Sequence, residues 1–367
     1  MNPHAQFCPN STCHANNRTD LVNIVIHSRK QRRYKCTCCG KTFTESKGTA
    51  VYGLKKPELF IITTSLLAHG CPIQAIVATY KLDPRTVANW QQRAGEQSRR
   101  VHEHLVAQNQ LDLAQVQADE IRVKTQAGIL WVAMAIMVST RLWLGGVVSE
   151  RRDMTLIRAL AEQIRQMALC RPLLLAADGL VSYVKAFRMA FRSSYKTGKR
   201  GAPRKLPWPD IAIVQVVKQR QGKQLTIDRR IVQGCQQMIA SLIEQSQGSG
   251  GINTAFIERL NATFRQRLAI LIRRSRALAR QSSTVESGMY LLGCVYNFCT
   301  YHKSLRQLLL VGSHGRRWVK RTPAMAAGLT DHQWTIYELL HFKVPIQRQS
   351  PKRRGRPPKI YCSCGIS

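Results

Sequence analysis

The sequence predicts a multidomain α/β protein: a small cysteine-rich module, a helical segment, and a core in which a mixed sheet is flanked by helices. Three observations carry this. Residues 1–50 are rich in cysteine, polar residues and turn formers. Residues 55–100 have helical apolar spacing. From about 110 to 192, apolar runs of strand length alternate with amphipathic stretches. A chain of 367 residues has room for two or three domains at roughly 100–200 residues each.

Charge narrows the function classes. Lys and Arg number 56 against 20 Asp and Glu, a formal net charge of +36. Such an excess points to a polyanionic partner and away from an ordinary enzyme of small molecules. A hydrophobic fraction of 44% excludes a wholly disordered basic chain. The start, MNPHAQFCPN, has no apolar core of a secretory signal, so a cytoplasmic, nucleoid-associated protein is expected. Ile129 to Val148 is interrupted by Ser139-Thr140-Arg141 and reads as two buried strands joined by a turn, not as a membrane span. Without a secretory context, the twelve cysteines read as metal ligands or buried thiols.

The first module (1–50) holds Cys8 and Cys13, then Cys36 and Cys39 after 22 intervening residues. Structural Zn²⁺ takes four thiolate or imidazole ligands from two short knuckles, and these four cysteines supply them. Gly40 suits the positive φ of a knuckle turn. Leu21–His27 and the basic 29–35 stretch predict a hairpin ribbon between the pairs. Cys38 is spare, and His14 and His27 are substitutes for a weaker ligand. So small a core would draw folding energy from its metal.

In the second segment (51–104), Ile73–Tyr80 leads through Lys81-Leu82 to Asp83-Pro84. Asp83 fits an N-cap and Pro84 a first helical position, so two short helices with a tight turn are expected, the helix-turn-helix pattern. Val87 and Trp90 would face the core. Arg85, Thr86, Asn89 and Arg93 would then face a DNA major groove.

The core (110–311) contains the candidate chemistry. Asp119 ends the run Leu113–Asp119, and Asp178 ends Pro172–Asp178. Glu258 lies on a helix whose buried stripe is Leu260, Phe264 and Leu268. The expected order is three strands, the helix Thr155–Ala168 and a fourth strand parallel to the first, a ribonuclease-H-like sheet that sets Asp119 beside Asp178. Phosphodiester chemistry uses such a carboxylate cluster to hold two hard divalent ions, Mg²⁺ or Mn²⁺. Glu120 competes with Asp119 for the first position, but neighbours on a strand face opposite ways. Glu244, Asp210 and Asp228 compete for the third, but fall in an expected insertion at about 193–250.

These motifs together resemble a DDE transposase of bacterial insertion sequences, close to the insertion-sequence-one family and its zinc-ribbon relatives. The residues carrying the resemblance are Tyr34–Phe43, the helix-turn-helix, Ala118–Ile121, Asp178–Tyr183, Ile257–Asn261 with Arg265–Leu268, and Tyr296–Phe298 with His302. It spans most of residues 7–340. It implies that Asp119, Asp178 and Glu258 bind two catalytic Mg²⁺ or Mn²⁺ ions, and that the chain cuts element-end DNA and joins it to target DNA. It also implies double-stranded DNA as partner, a homo-oligomer of at least two copies, and no membrane. The departure is the 79 residues between Asp178 and Glu258, more than compact members have. The rivals are a noncatalytic zinc and helix-turn-helix regulator, which needs no such carboxylates, and another ribonuclease-H-like nuclease, which has no use for sequence recognition.

Past Glu258, a long Arg-rich helix starting near Asn253 is expected, with helical sequence to about 310. Arg265, Arg267, Arg273 and Arg274 belong to an unbalanced run of positive charge suited to phosphate. Residues 312–346 are expected to form a C-terminal helical extension. In the basic tail (347–367), Arg353, Arg354 and Arg356 flank a Gly-Arg-Pro core that resembles an AT-hook.

Overall fold

The structure is a computed structural model that describes residues 1–195, 201–222, 224–248, 250–272, 278–311 and 315–345. Arg273, Arg274, Arg353, Arg354, Arg356, Cys362 and Cys364, and with them the expected AT-hook, lie outside the described residues. The chain forms two compact units: residues 1–48 with the stretch from Lys343, and Thr49–Phe342.

The first unit is a three-stranded antiparallel sheet of β1 (Ile24–Ser28), β2 (Arg33–Cys36) and β3 (Thr42–Thr44). Its core is small: fully buried Tyr34 stacks on Phe43 at 5.9 Å, beside Cys8, Cys13 and Cys36.

The second unit opens with three helices, α1 (Pro57–Ala68), α2 (Ile73–Tyr80) and α3 (Pro84–His102). Lys81 takes a left-handed turn (φ 51), and Asp83 caps α3 by accepting from the Arg85 amide at 2.7 Å. Val87 is buried and half-buried Trp90 meets Phe60 edge-on, as the apolar spacing requires. α3 is not short, however. It runs 19 residues, and Gly95 lies so close to Ser287 that a Cβ there would be 2.5 Å from its Cα. The helices expected as a separate domain therefore share one unit with the sheet.

The sheet is built from β4 (Gln115–Thr125), β5 (Gly128–Met137), β6 (Trp143–Ser149), β7 (Leu173–Asp178), β10 (Ile211–Gln221) and β11 (Gln224–Gln233), in the order β11-β10-β7-β4-β5-β6. The first three strands are antiparallel, with Asp119 opposite Met134. Helix α4 (Met154–Met167), capped by Asp153, crosses over to β7, which runs parallel to β4. β10 runs parallel to β7. This mixed sheet with flanking helices is compatible with a ribonuclease-H-like core, and the Ile129–Val148 stretch forms β5 and β6. No described helix is long and apolar enough to cross a membrane.

Three expectations need correction. The stretch at about 193–250 is not all insertion. After α5 (Val181–Ala190), only the hairpin β8 (Arg192–Tyr195) and β9 (Arg204–Pro207) stands apart as its own sheet. The alternating Ile211-Ala-Ile-Val-Gln-Val run is apolar enough to be a central strand, and α6 (Gln236–Gln245) buries Ile239, Leu242 and Ile243 against β7 and β10. The Arg-rich helix is shorter than expected: α7 spans Ala255–Arg267, and α8 (Ser282–Cys294) follows. Residues 302–310 are not helical but enter a hairpin, β12 (His302–Val311) with β13 (Gly315–Arg321). Leu308 and Leu309 stay 41% and 49% exposed, so no buried stripe exists to hold a helix there. β13 therefore opens the expected helical extension, and among the described residues short α9 (Pro323–Ala326) and α10 (Ile336–His341) follow, each capped by a threonine.

Candidate functional site

The cysteine group lies wholly within the first unit. Cys8 and Cys39 approach with sulfur atoms 3.7 Å apart, and Cys13 and Cys36 at 3.9 Å. All four sulfurs lie within 4.8 Å of one another, a donor set that can hold one metal ion. Gly40 has φ 70, and its amide bonds to the Cys36 carbonyl, closing the second knuckle. Asn23 donates to the Cys36 sulfur at 3.1 Å. The Lys41 amide, aimed at Cys39, draws that thiol down to about 6, whereas burial raises Cys8 and Cys13. Cys38 is exposed and outside the group.

The acidic group lies where β7 ends. Backbone pairing of β4 with β7 stops at Ala118 opposite Ala177, so the next residues, Asp119 and Asp178, come side by side. Asp119 is not at a strand end as expected. It sits midway along β4, because the β4–β5 hairpin continues to Thr125. Its carboxylate accepts from Asn261 of α7 at 2.8 Å. Burial, with Glu120, Asp178 and Glu258 as negative neighbours, pushes it up to about 6.

Glu120 does face the other side of the strand, as alternation requires, and there it is buried against α5: Tyr183 donates to it at 2.8 Å. Its carboxylate nevertheless lies within 4.8 Å of those of Asp119 and Asp178, so three acids, not two, can hold a metal here. Arg152 pairs with Glu120 and reaches Asp178 at 3.4 Å, tying them together. The Leu180 amide donates to Asp178 at 3.0 Å.

Glu258 stands outside that trio. It is in the first turn of α7, pairs with Lys218 of β10, and accepts from Thr254 at 2.6 Å. What fixes α7 on the sheet is Gln117, two residues before Asp119. Its buried side-chain oxygen accepts the amides of Phe256 and Ile257 at 2.9 and 3.1 Å, capping the helix from the strand. Its nitrogen donates to the Asn253 carbonyl at 2.8 Å. Glu244 lies on α6, and Asp228 pairs with Arg230.

The expected DNA-facing residues divide. Arg85 and Asn89 are exposed at the start of α3, and Thr86 is half-buried. Arg93 is not free for a groove: its guanidinium donates to the carbonyls of Ala50 (2.5 Å) and Tyr52. It is spaced one turn beyond Asn89, but the loop before α1 passes over that turn. Arg265 and Arg267 are half-buried at the end of α7, Arg267 reaching Thr300 at 3.5 Å.

Sequence reasoning set Glu120 aside and gave no role to Arg152, Lys218 or Gln117. Alternation sends Glu120 to the opposite face, but does not reveal that its carboxylate still comes within 4.8 Å of those of Asp119 and Asp178. Arg152 and Lys218 carried no signal among 56 basic residues. No family model matches the chain, and no curated protein matches it.

Proposed function

We propose that this protein is a DDE-type DNA strand transferase, a transposase that cuts the ends of a DNA element and joins them to a target. The observation that carries the reading is Asp119 and Asp178 side by side on adjacent parallel strands, beneath a helix bearing Glu258. A buried carboxylate cluster with all-oxygen donors suits Mg²⁺ or Mn²⁺. Bound there, two such ions would activate the attacking oxygen and stabilise the leaving one.

The chain's own residues prepare the site. Arg152 keeps Glu120 and Asp178 together. Asn261 orients Asp119, whose raised pKa means that it loses its proton only above about pH 6 or when a cation binds. Glu258 serves as third ligand by releasing Lys218. Both side chains are more than 40% exposed, and exposed ion pairs are weak, roughly 0–1 kcal/mol. The cysteine group takes Zn²⁺: sulfurs at 3.7 and 3.9 Å match the roughly 3.8 Å edge of a tetrahedron with Zn–S bonds of about 2.3 Å. Arg85, Thr86 and Asn89 contact element-end duplex DNA, and at least two copies act together to bring the ends to a target.

The test is strand joining. The protein is incubated with Mg²⁺, labelled duplex carrying the DNA that flanks its gene, and a target plasmid. Covalently joined product that requires the flanking sequence is expected. Cleavage without joining would favour a simple nuclease, and binding without either a noncatalytic regulator.

A further inference from the structure

Helix α7 carries a second feature beside Glu258. Arg259 and Arg267 lie on it, and Arg141 comes to it from the turn between β5 and β6, its guanidinium 4.0 Å from the centre of the Phe256 ring. Arg141 holds a left-handed backbone (φ 59), a costly conformation for a long side chain. Its Nη1 is buried and meets no hydrogen-bond partner among the described residues. The Tyr296 phenol and the Arg259 guanidinium lie near it, and no carboxylate among the described residues pairs with it. The charges of Arg141, Arg259 and Arg267 converge on Tyr296 and His302, whose rings meet edge-on at 4.8 Å. Burial first, and then these three cations, hold His302 down to about 4, neutral at physiological pH.

Three guanidiniums that no carboxylate among the described residues pairs with repel one another, and a buried N–H without an acceptor is costly. An oxyanion resolves both at once. A phosphate offers several acceptor oxygens in the geometry that guanidinium groups match best.

We propose that Arg141, Arg259 and Arg267, with Tyr296 and His302 beside them, form a pocket for one phosphate group of a nucleic-acid strand, on the same helix as Glu258. The identity of the strand as substrate rests on the strand-transferase reading. The pocket's affinity for phosphate does not.

The test follows His302 by NMR in protein with labelled histidines. The probes are inorganic phosphate and one short oligonucleotide, with and without a 5′-terminal phosphate, all without divalent metal. An anion beside the imidazole favours its protonated form, so its pKa rises from about 4 on binding. A rise with both oligonucleotides assigns the pocket to an internal phosphodiester. A rise only with the terminally phosphorylated one and with free phosphate assigns it to a strand end.

Arg141→Gln is expected to remove the rise. It should also weaken oligonucleotide binding about tenfold and lower the salt slope by about one. Arg259→Gln, at an exposed position, should do the same without threatening the fold, while Arg171→Gln on α4's far connection leaves all three unchanged. An unmoved His302 at saturating oligonucleotide, or equal losses from Arg171→Gln, would overturn the pocket. Asp119→Asn should give the same His302 shift as the wild type, so failure of the catalytic reading and failure of the pocket are told apart.

Discussion

At the scale of single residues, burial decides what the titratable groups do. His102 lies buried at the end of α3, its ring 4.7 Å from Trp143 and 5.6 Å from Tyr290. Burial depresses it to about 4. It is therefore neutral in the fold and protonates more readily when unfolded, near 6.5. Its contribution to stability is complete above about pH 6.5 and is lost as pH falls toward 4. The loss is up to about 3 kcal/mol. Denaturant melts of wild type and His102→Phe at pH 7 and pH 4.5 check this: the wild type should lose stability over that interval, and the variant clearly less. The sequence marked Asp119 and Asp178 through the apolar runs that precede them. It did not mark His102, because a histidine in a polar-looking helix reads as exposed until α8 and β6 are seen to cover it.

At the scale of elements, most boundaries were legible and most pairings beyond the first four strands were not. Asp83-Pro84 announced the start of α3 through local capping chemistry that needs no tertiary context, and Asp153, not singled out from the sequence, caps α4 in the same way. The role of β10 was hidden because the run Ile211–Val217 suits any buried strand. Only pairing with β7, 38 residues earlier at Ile211 and Leu173, makes it part of the sheet. Helix α7 is held in the same non-local way. Gln117→Leu deletes the cap that strand β4 supplies and leaves the half-buried Phe256 amide and the buried Ile257 amide unpaired, at a cost of about 1–3 kcal/mol. The expected outcome is a lower Tm together with a larger loss of DNA cleavage than of DNA binding, since Glu258 is displaced and the basic surface is not. In the first unit, the grouping of the four cysteines was legible, because residues that can hold a metal stand out by type and spacing. Cys36→Ser should remove about one Zn²⁺ per chain from the purified protein by elemental analysis, and with it the fixed structure of the ribbon. Zinc content equal to that of wild type would refute the assignment.

At the scale of the whole molecule, an excess of 36 positive charges accompanies a small acidic centre. The charge alone fixes a salt-sensitive attraction to polyanions and says nothing about chemistry. The chemistry depends on twenty acids, of which the sheet gathers Asp119, Glu120 and Asp178 and leaves Glu258 one exposed ion pair away. That division gives the central claim its sharpest form: the acids serve catalysis, and binding does not need them. The direct measurement is divalent-dependent cleavage of labelled duplex carrying the gene's flanking DNA, for wild type, Asp119→Asn, Asp178→Asn and Glu258→Gln, with binding of the same duplex measured without metal. Each variant is predicted to lose more than about a hundredfold in cleavage rate, as expected for a lost metal ligand, while binding persists or tightens with the removal of a negative charge near phosphate. Cleavage at the wild-type rate by Asp119→Asn or Asp178→Asn would contradict the account.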